Sequence, residues 1–181
     1  MNALVAILVG LLGPFLGAVY WILSRASERR KTAFTLIERY NSSEMFVVRA
    51  VAWKVQEAWH HGDRSILKFF VVSNEPPPKG VTCANGLTED QNLAWFLHFF
   101  GNLAQYQREG LVSKKLISVF FGQHYYTYRS FLLEFMGEFR RHAPDNQPWP
   151  SWMTGLPQLE RIFDTRDPRS AENRSPTAGH S

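Results

Sequence analysis

Leu4-Val-Ala-Ile-Leu-Val-Gly-Leu-Leu-Gly-Pro-Phe-Leu-Gly-Ala-Val-Tyr-Trp-Ile-Leu23 is an unbroken run of 20 uncharged residues, followed directly by Ser24-Arg25-Ala26-Ser27-Glu28-Arg29-Arg30-Lys31. As a helix rising about 1.5 Å per residue, the run spans roughly 30 Å, the hydrocarbon thickness of a bilayer. It therefore reads as a transmembrane anchor over residues 1–24. Tyr20 and Trp21 fall near its end, where amphipathic rings favour the headgroup level. A cleaved signal peptide is the competing reading, with Ser24 and Ala26 as small residues near a cleavage point. Against it, Met1-Asn2-Ala3 carries no cation, the apolar run exceeds the ~7 to 15 residues of a signal core, and the basic residues follow the run.

The basic segment 25–31 sets the expected orientation. Arg25, Arg29, Arg30 and Lys31 follow the span with only Glu28 among them, so the positive-inside rule puts the N-terminus outside and the remainder in the cytoplasm. These cations also suit the anionic headgroups of membrane lipid. Inside the span, Gly13 and Gly17 form a small-xxx-small pair that would let two helices approach, making a homo-oligomer one expectation. Pro14 is expected to kink the helix.

Charge is divided as sharply as hydropathy. The chain of 181 residues has 20 Lys+Arg against 16 Asp+Glu, and none of these precedes Arg25. Three of the four net positive charges belong to 25–31. Residues 32–181 hold 16 cations and 15 anions, no basic excess of the kind a nucleic-acid surface requires, so no nucleic acid is expected as a partner. A single Cys83 excludes a disulfide scaffold.

Outward from the anchor, apolar spacing is helical nearly throughout. Ala33, Phe34, Ile37 and Tyr40 continue the first helix. Asn41 with Glu44 resembles a capping box before Val47, Val48, Val51, Ala52, Val55, Ala58 and Trp59, a helix predicted to end at His60-His61-Gly62. Ile66 to Val72 is a short apolar run assigned to helix, for want of a second strand to pair with it. Glu75 to Gly80 contains three consecutive prolines and reads as a loop extending through Asn85-Gly86. Thr88-Glu89-Asp90-Gln91 is a second capping box, opening a helix with Leu93, Phe96, Leu97, Phe100, Leu103 and Ala104 on one face. Ser113 is predicted to cap a helix that Gly122 ends, and Gln123 to His142 to form one more.

The predicted fold is thus all-α: one N-terminal transmembrane helix and a cytoplasmic helical domain of about five helices over 32–143. A Pro/Trp-rich segment, 144–163, follows. Its prolines exclude regular helix up to Pro157, Trp149, Trp152 and Met153 should lie across the domain, and a short helix is expected over Leu156 to Phe163. Residues 164–181 have almost no apolar side chains and read as a disordered tail.

Candidate chemistry is sparse. His60, His61 and Asp63 are the densest set of metal ligands, but adjacent histidines on a helix point about 100° apart. His98 and His124 stand alone among aromatics, and a Cys83–histidine nucleophile pair lacks a local signature. Glu134 and Glu138 share a helix face, where ion pairing with Arg140 and Arg141 is the expected role. No phosphate loop occurs and no cofactor is expected.

Thr35-Leu36-Ile37 with Tyr40-Asn41-Ser42 and Met45, Phe96 to Ala104, Arg108 to Val112, Phe120-Phe121-Gly122 and Tyr128 together resemble the DUF4760 family of uncharacterised bacterial proteins, over roughly residues 5–142. That resemblance implies one N-terminal inner-membrane helix and a cytoplasmic helical domain. His98 and Gly101 stand where the family tends to carry Asn and Glu, so no shared activity is carried over. The expected function is a protein-interaction or scaffold module. A membrane-tethered enzyme, metal-dependent through His60, His61, Asp63, His98 or His124, and an oligomeric membrane component are the alternatives.

Overall fold

The computed structural model describes residues 2–71 and 80–164, with side chains from 15 to 71 and 80 to 163. Among them there are five α-helices and no strand: α1 (Asn2–Tyr40), α2 (Ser43–His60), α3 (Glu89–Arg108), α4 (Lys114–His142) and α5 (Ser151–Asp164), with a 3-10 turn at Ser65–Phe69. The fold is all-α, as the periodicity predicts. The proline run falls in 72–79, outside the described residues; of the predicted tail 164–181, Asp164 ends α5 and the rest lies outside them.

The first helix is continuous from the apolar run into the domain. Its described side chains through Glu28 are all exposed, and the first buried one is Ala33. Among the described residues no helix is long and apolar enough to cross a membrane, and more than half of the Leu4–Leu23 run, including Gly13, has its side chains outside them.

Local capping differs from expectation at one joint. Ser42, not Asn41, caps α2: its Oγ accepts from Met45 N–H at 3.3 Å. Asn41 N–H bonds Ile37 C=O at 2.9 Å and closes the last turn of α1, and Ser42 is the residue directly before the first turn of α2. At α3 the predicted box forms, with Gln91 Oε1 accepting from Thr88 N–H at 3.0 Å, and Gly110 (φ 71°) follows its end. Ser113 Oγ accepts from Leu116 N–H at 3.3 Å and opens α4 as expected.

Two predicted breaks are corrected. Gly122 does not end a helix, because α4 runs through it for 29 residues. A mid-helix glycine costs about 1 kcal/mol relative to alanine, less than the burial of either Phe121 or Tyr125 on the face it shares. Regular helix is likewise not excluded before Pro157: α5 starts at Ser151 and carries Pro157 inside it. Trp152, Met153, Leu156, Leu159, Ile162 and Phe163 are all buried, which outweighs the one backbone bond that proline removes. The Pro/Trp-rich segment is therefore part of the core. Within the described part of the Ile66–Val72 run, to Val71, the helix is only the 3-10 turn, opened by Asp63 Oδ1 accepting from Ser65 N–H at 2.8 Å.

Aromatic rings join the helices. Trp152 meets Phe70, Phe135 and Phe139, and Trp59 meets Phe131 and Phe135. Arg129 forks onto Glu160, which also accepts from Tyr125 Oη, tying α4 to α5. Helix directions follow from ring pairs along α1. Phe34 lies 6.0 Å from Phe120, and Tyr40 4.8 Å from His124, so α4 runs alongside α1 in the same sense. Tyr40 also lies 5.1 Å from Phe99, whereas Arg29 meets Gly110, so α3 runs the opposite way.

Candidate functional site

At the end of α1 remote from the apolar run, Tyr40, Phe46, Arg49, Trp53, His124 and Tyr128 border a cleft of about 350 Å³. The Arg49 guanidinium lies over the Tyr40 ring, 4.6 Å from its centroid, and His124 packs against the same ring at 4.8 Å. Tyr128 Oη donates to Arg49 C=O at 3.4 Å, and Trp53 stands edge-on to Tyr128. Phe46 and Trp53, at the rim, are 65% and 54% exposed. This places a cation among rings on a surface that also shows large apolar groups, the composition of a recognition site.

Two buried donors in this cleft lack partners: Tyr40 Oη and Arg49 Nε. No carboxylate forms a salt bridge with Arg49 among the described residues. Burial, then the Arg49 charge, holds the His124 imidazole below its ordinary pKa, which favours the neutral ring. Burial pushes the Tyr40 phenol up to about 12, against the opposing charge of Arg49. A raised folded-state pKa means that stability is intact below the unfolded value near 10 and declines as pH rises from there toward 12. Melting temperature is thus expected to fall steeply above pH 10. In Tyr40→Phe the fall should be shallower. Parallel pH profiles for the two chains would refute this assignment.

The predicted metal set does not assemble. Among the described residues no three His, Cys, Asp or Glu side chains group as metal ligands. His60 Nε2 lies 3.5 Å from Gln56 Nε2, His61 ends α2, and Asp63 is engaged with Ser65. Arg64, rather than the histidines, covers the α2 terminus: it stacks 3.9 Å from the Trp59 ring centroid and donates to Trp59 C=O.

His98 bonds Ser151 at the start of α5, Nδ1 to Oγ 3.0 Å, and burial lowers its pKa. It borders a second hollow of about 200 Å³ with Arg39, Trp95, Asn102 and Tyr106. Among the described residues no carboxylate bonds the other ring nitrogen, so this contact positions α5 on α3 and does not complete a nucleophile–base–acid array. Cys83 is half-buried in the 80–88 loop with no histidine bonded to it. Glu138 pairs with Arg141 at 2.6 Å as expected, whereas Glu134 accepts from Trp59 Nε1 at 3.0 Å.

The basic segment is partly engaged. Arg29 Nε donates to Gly110 C=O at 2.8 Å, and Arg25 stacks on Trp21 at 5.1 Å. Arg30 and Lys31 are exposed. Gly17 is exposed with open space around it, and Gly13 lies outside the described side chains.

Arg49 escapes sequence reading because its neighbours Tyr40 and His124 come from other helices, and no spacing rule links them. Comparison with family models, with curated proteins and with solved structures finds no match to this chain.

Proposed function

We propose that this chain is a single-pass membrane protein, N-terminus outside, whose cytoplasmic helical domain binds another protein. The observation that carries the anchor is the exposure of α1 before the domain begins. Phe15, Leu16, Tyr20, Trp21, Ile22 and Leu23 are each more than half exposed, and nothing among the described residues covers them. Lipid is the occupant that fits, because the flanking residues 4–14 add only uncharged side chains and a cationic stretch follows.

The Arg49 cleft is the surface assigned to the partner. It lies beside Tyr40, 17 residues beyond Leu23 and so about 25 Å along α1 from the end of the apolar run. A guanidinium that meets no carboxylate among the described residues, set among aromatic walls, fits a partner segment that brings an acidic group beside an apolar one.

One experiment on the full chain in cells tests both parts. Membranes are washed with alkaline carbonate, comparing the parent with Leu16→Arg/Val19→Arg, where each buried charge opposes insertion by about 2.5 to 3.5 kcal/mol. The parent should stay in the pellet and the variant should be released; release of the parent would overturn the anchor. A photo-crosslinker at position 53 should give an adduct that Arg49→Glu abolishes, and an adduct insensitive to that change would remove the cleft from the proposal. Orientation is read by a periplasm-dependent reporter after Ser181, where signal would reverse it.

A further inference from the structure

We infer that the turn joining α3 to α4 is a second membrane contact, docking the domain tip on an anionic lipid surface. The inference rests on the reading of α1 as the anchor. Because α3 runs against α1 and α4 runs with it, the turn between them is the end of the domain nearest the apolar run. Its position is fixed by Arg29, whose Nε donates to Gly110 C=O at 2.8 Å. Arg25 reaches the same turn, its guanidinium nitrogen 3.4 Å from where a Gly110 side chain would begin.

Gly110 is therefore level with Arg29, six residues past Leu23 and about 9 Å along the helix axis. A headgroup layer is roughly 5 to 7 Å deep on each side of the hydrocarbon. Modest tilt of α1 brings the turn into that layer. Among the described residues the charges there are mostly positive: with the four cations of 25–31 stand Arg108, Lys114 and Lys115, against Glu28 and Glu109. Glu109 accepts from Gln105 Nε2 at 2.8 Å, which holds it along α3. Lys114 and Lys115 are exposed, and Leu111, at the apex, is 42% exposed and offers one apolar group for shallow insertion. Each cation near an anionic leaflet strengthens attachment roughly fivefold, and the effect dies away within about a Debye length. The turn lies inside that range, whereas the Arg49 cleft does not.

The test uses the full chain, with Cys83→Ser, reconstituted into vesicles containing lipids spin-labelled near the headgroup. An environment-sensitive fluorophore is placed in turn at Ile22→Cys, Leu111→Cys and Trp53→Cys. In vesicles with 30% phosphatidylglycerol the labels at 22 and 111 should be quenched and the label at 53 should not. In pure phosphatidylcholine, quenching at 111 should fall at least twofold while that at 22 persists; Lys114→Glu/Lys115→Glu should reproduce the fall in the anionic vesicles. No quenching at 22 would overturn the anchor and this inference with it. Quenching at 22 without quenching at 111 in anionic vesicles would overturn the tip contact alone, and equal quenching at 111 in both lipids would overturn its anionic character.

Discussion

Replacing Gly155 by alanine should lower stability by about 2 kcal/mol or more, and by valine further still, because α3 and α5 cross there backbone to backbone. A Cβ on Gly155 would sit 2.3 Å from the Gly101 carbonyl oxygen and 2.6 Å from its Cα. No rotamer relieves a collision with main chain. The two helices must move apart, and with them the Trp152, Phe135 and Phe139 contacts that seal this side of the core. Alanine gains about 1 kcal/mol of helix propensity over glycine, which overpacking against backbone exceeds. At about 2 to 4 °C per kcal/mol for a chain of this size, melting should fall by roughly 5 °C or more.

Gly101→Ala should act in the same direction, its Cβ meeting Trp152 Cα at 2.8 Å. The double substitution should cost less than the sum, since the helices separate only once. Gly137→Ala is the contrast. That glycine lies inside α4 with nothing within 4 Å of a new Cβ, so the same chemical change should stabilise by about 0.5 to 1 kcal/mol. Thermal melts followed by circular dichroism distinguish the signs. A Gly155→Ala chain that melts at or above the parent temperature would mean that α3 and α5 do not cross at these glycines.

How far the sequence reveals this fold can be argued from the same residues. The apolar spacing of α3 and its capping box are local signals, and both are realised. Taken alone, Gly122 and Pro157 read as breaks because glycine and proline weaken isolated helix. In the folded chain each is overridden by burial of its neighbours, a term that depends on what packs opposite. Gly101 and Gly155 carry no local signal at all, since their role exists only where two positions more than 50 residues apart meet. The cationic stretch at 25–31 is legible as charge, but the acceptor of Arg29 is a backbone carbonyl 81 residues away. The Arg49 cleft is not legible in the sequence for a related reason: its cation and its rings come from α1, α2 and α4, and each residue taken singly looks like ordinary core or surface.

Ending the chain after Ala143 should abolish the cooperative fold of the domain, whereas ending it after Asp164 should preserve it. The shorter chain loses Trp152, Met153, Leu156, Leu159, Ile162 and Phe163, each 7% exposed or less. At about 1.5 to 3 kcal/mol for each buried side chain, the lost burial is roughly 10 kcal/mol or more, comparable with the whole stability of a domain at 5 to 15 kcal/mol. Truncation also uncovers Phe135, Phe139 and Tyr125, and leaves Arg129 without Glu160. That carboxylate is held below its ordinary pKa even though burial works to raise it, because the hydrogen bonds from Arg129 and Tyr125 outweigh burial. Its stabilising contribution is therefore present above the unfolded carboxylate pKa and is lost as pH falls through the lower folded value, so Glu160→Gln should flatten the acid limb of the stability profile. The decisive comparison is near-ultraviolet circular dichroism and melting of the two truncated chains in the same detergent. If the chain ending at Ala143 keeps the aromatic signal and a sharp transition, α5 is an appendage, and the core closes without it.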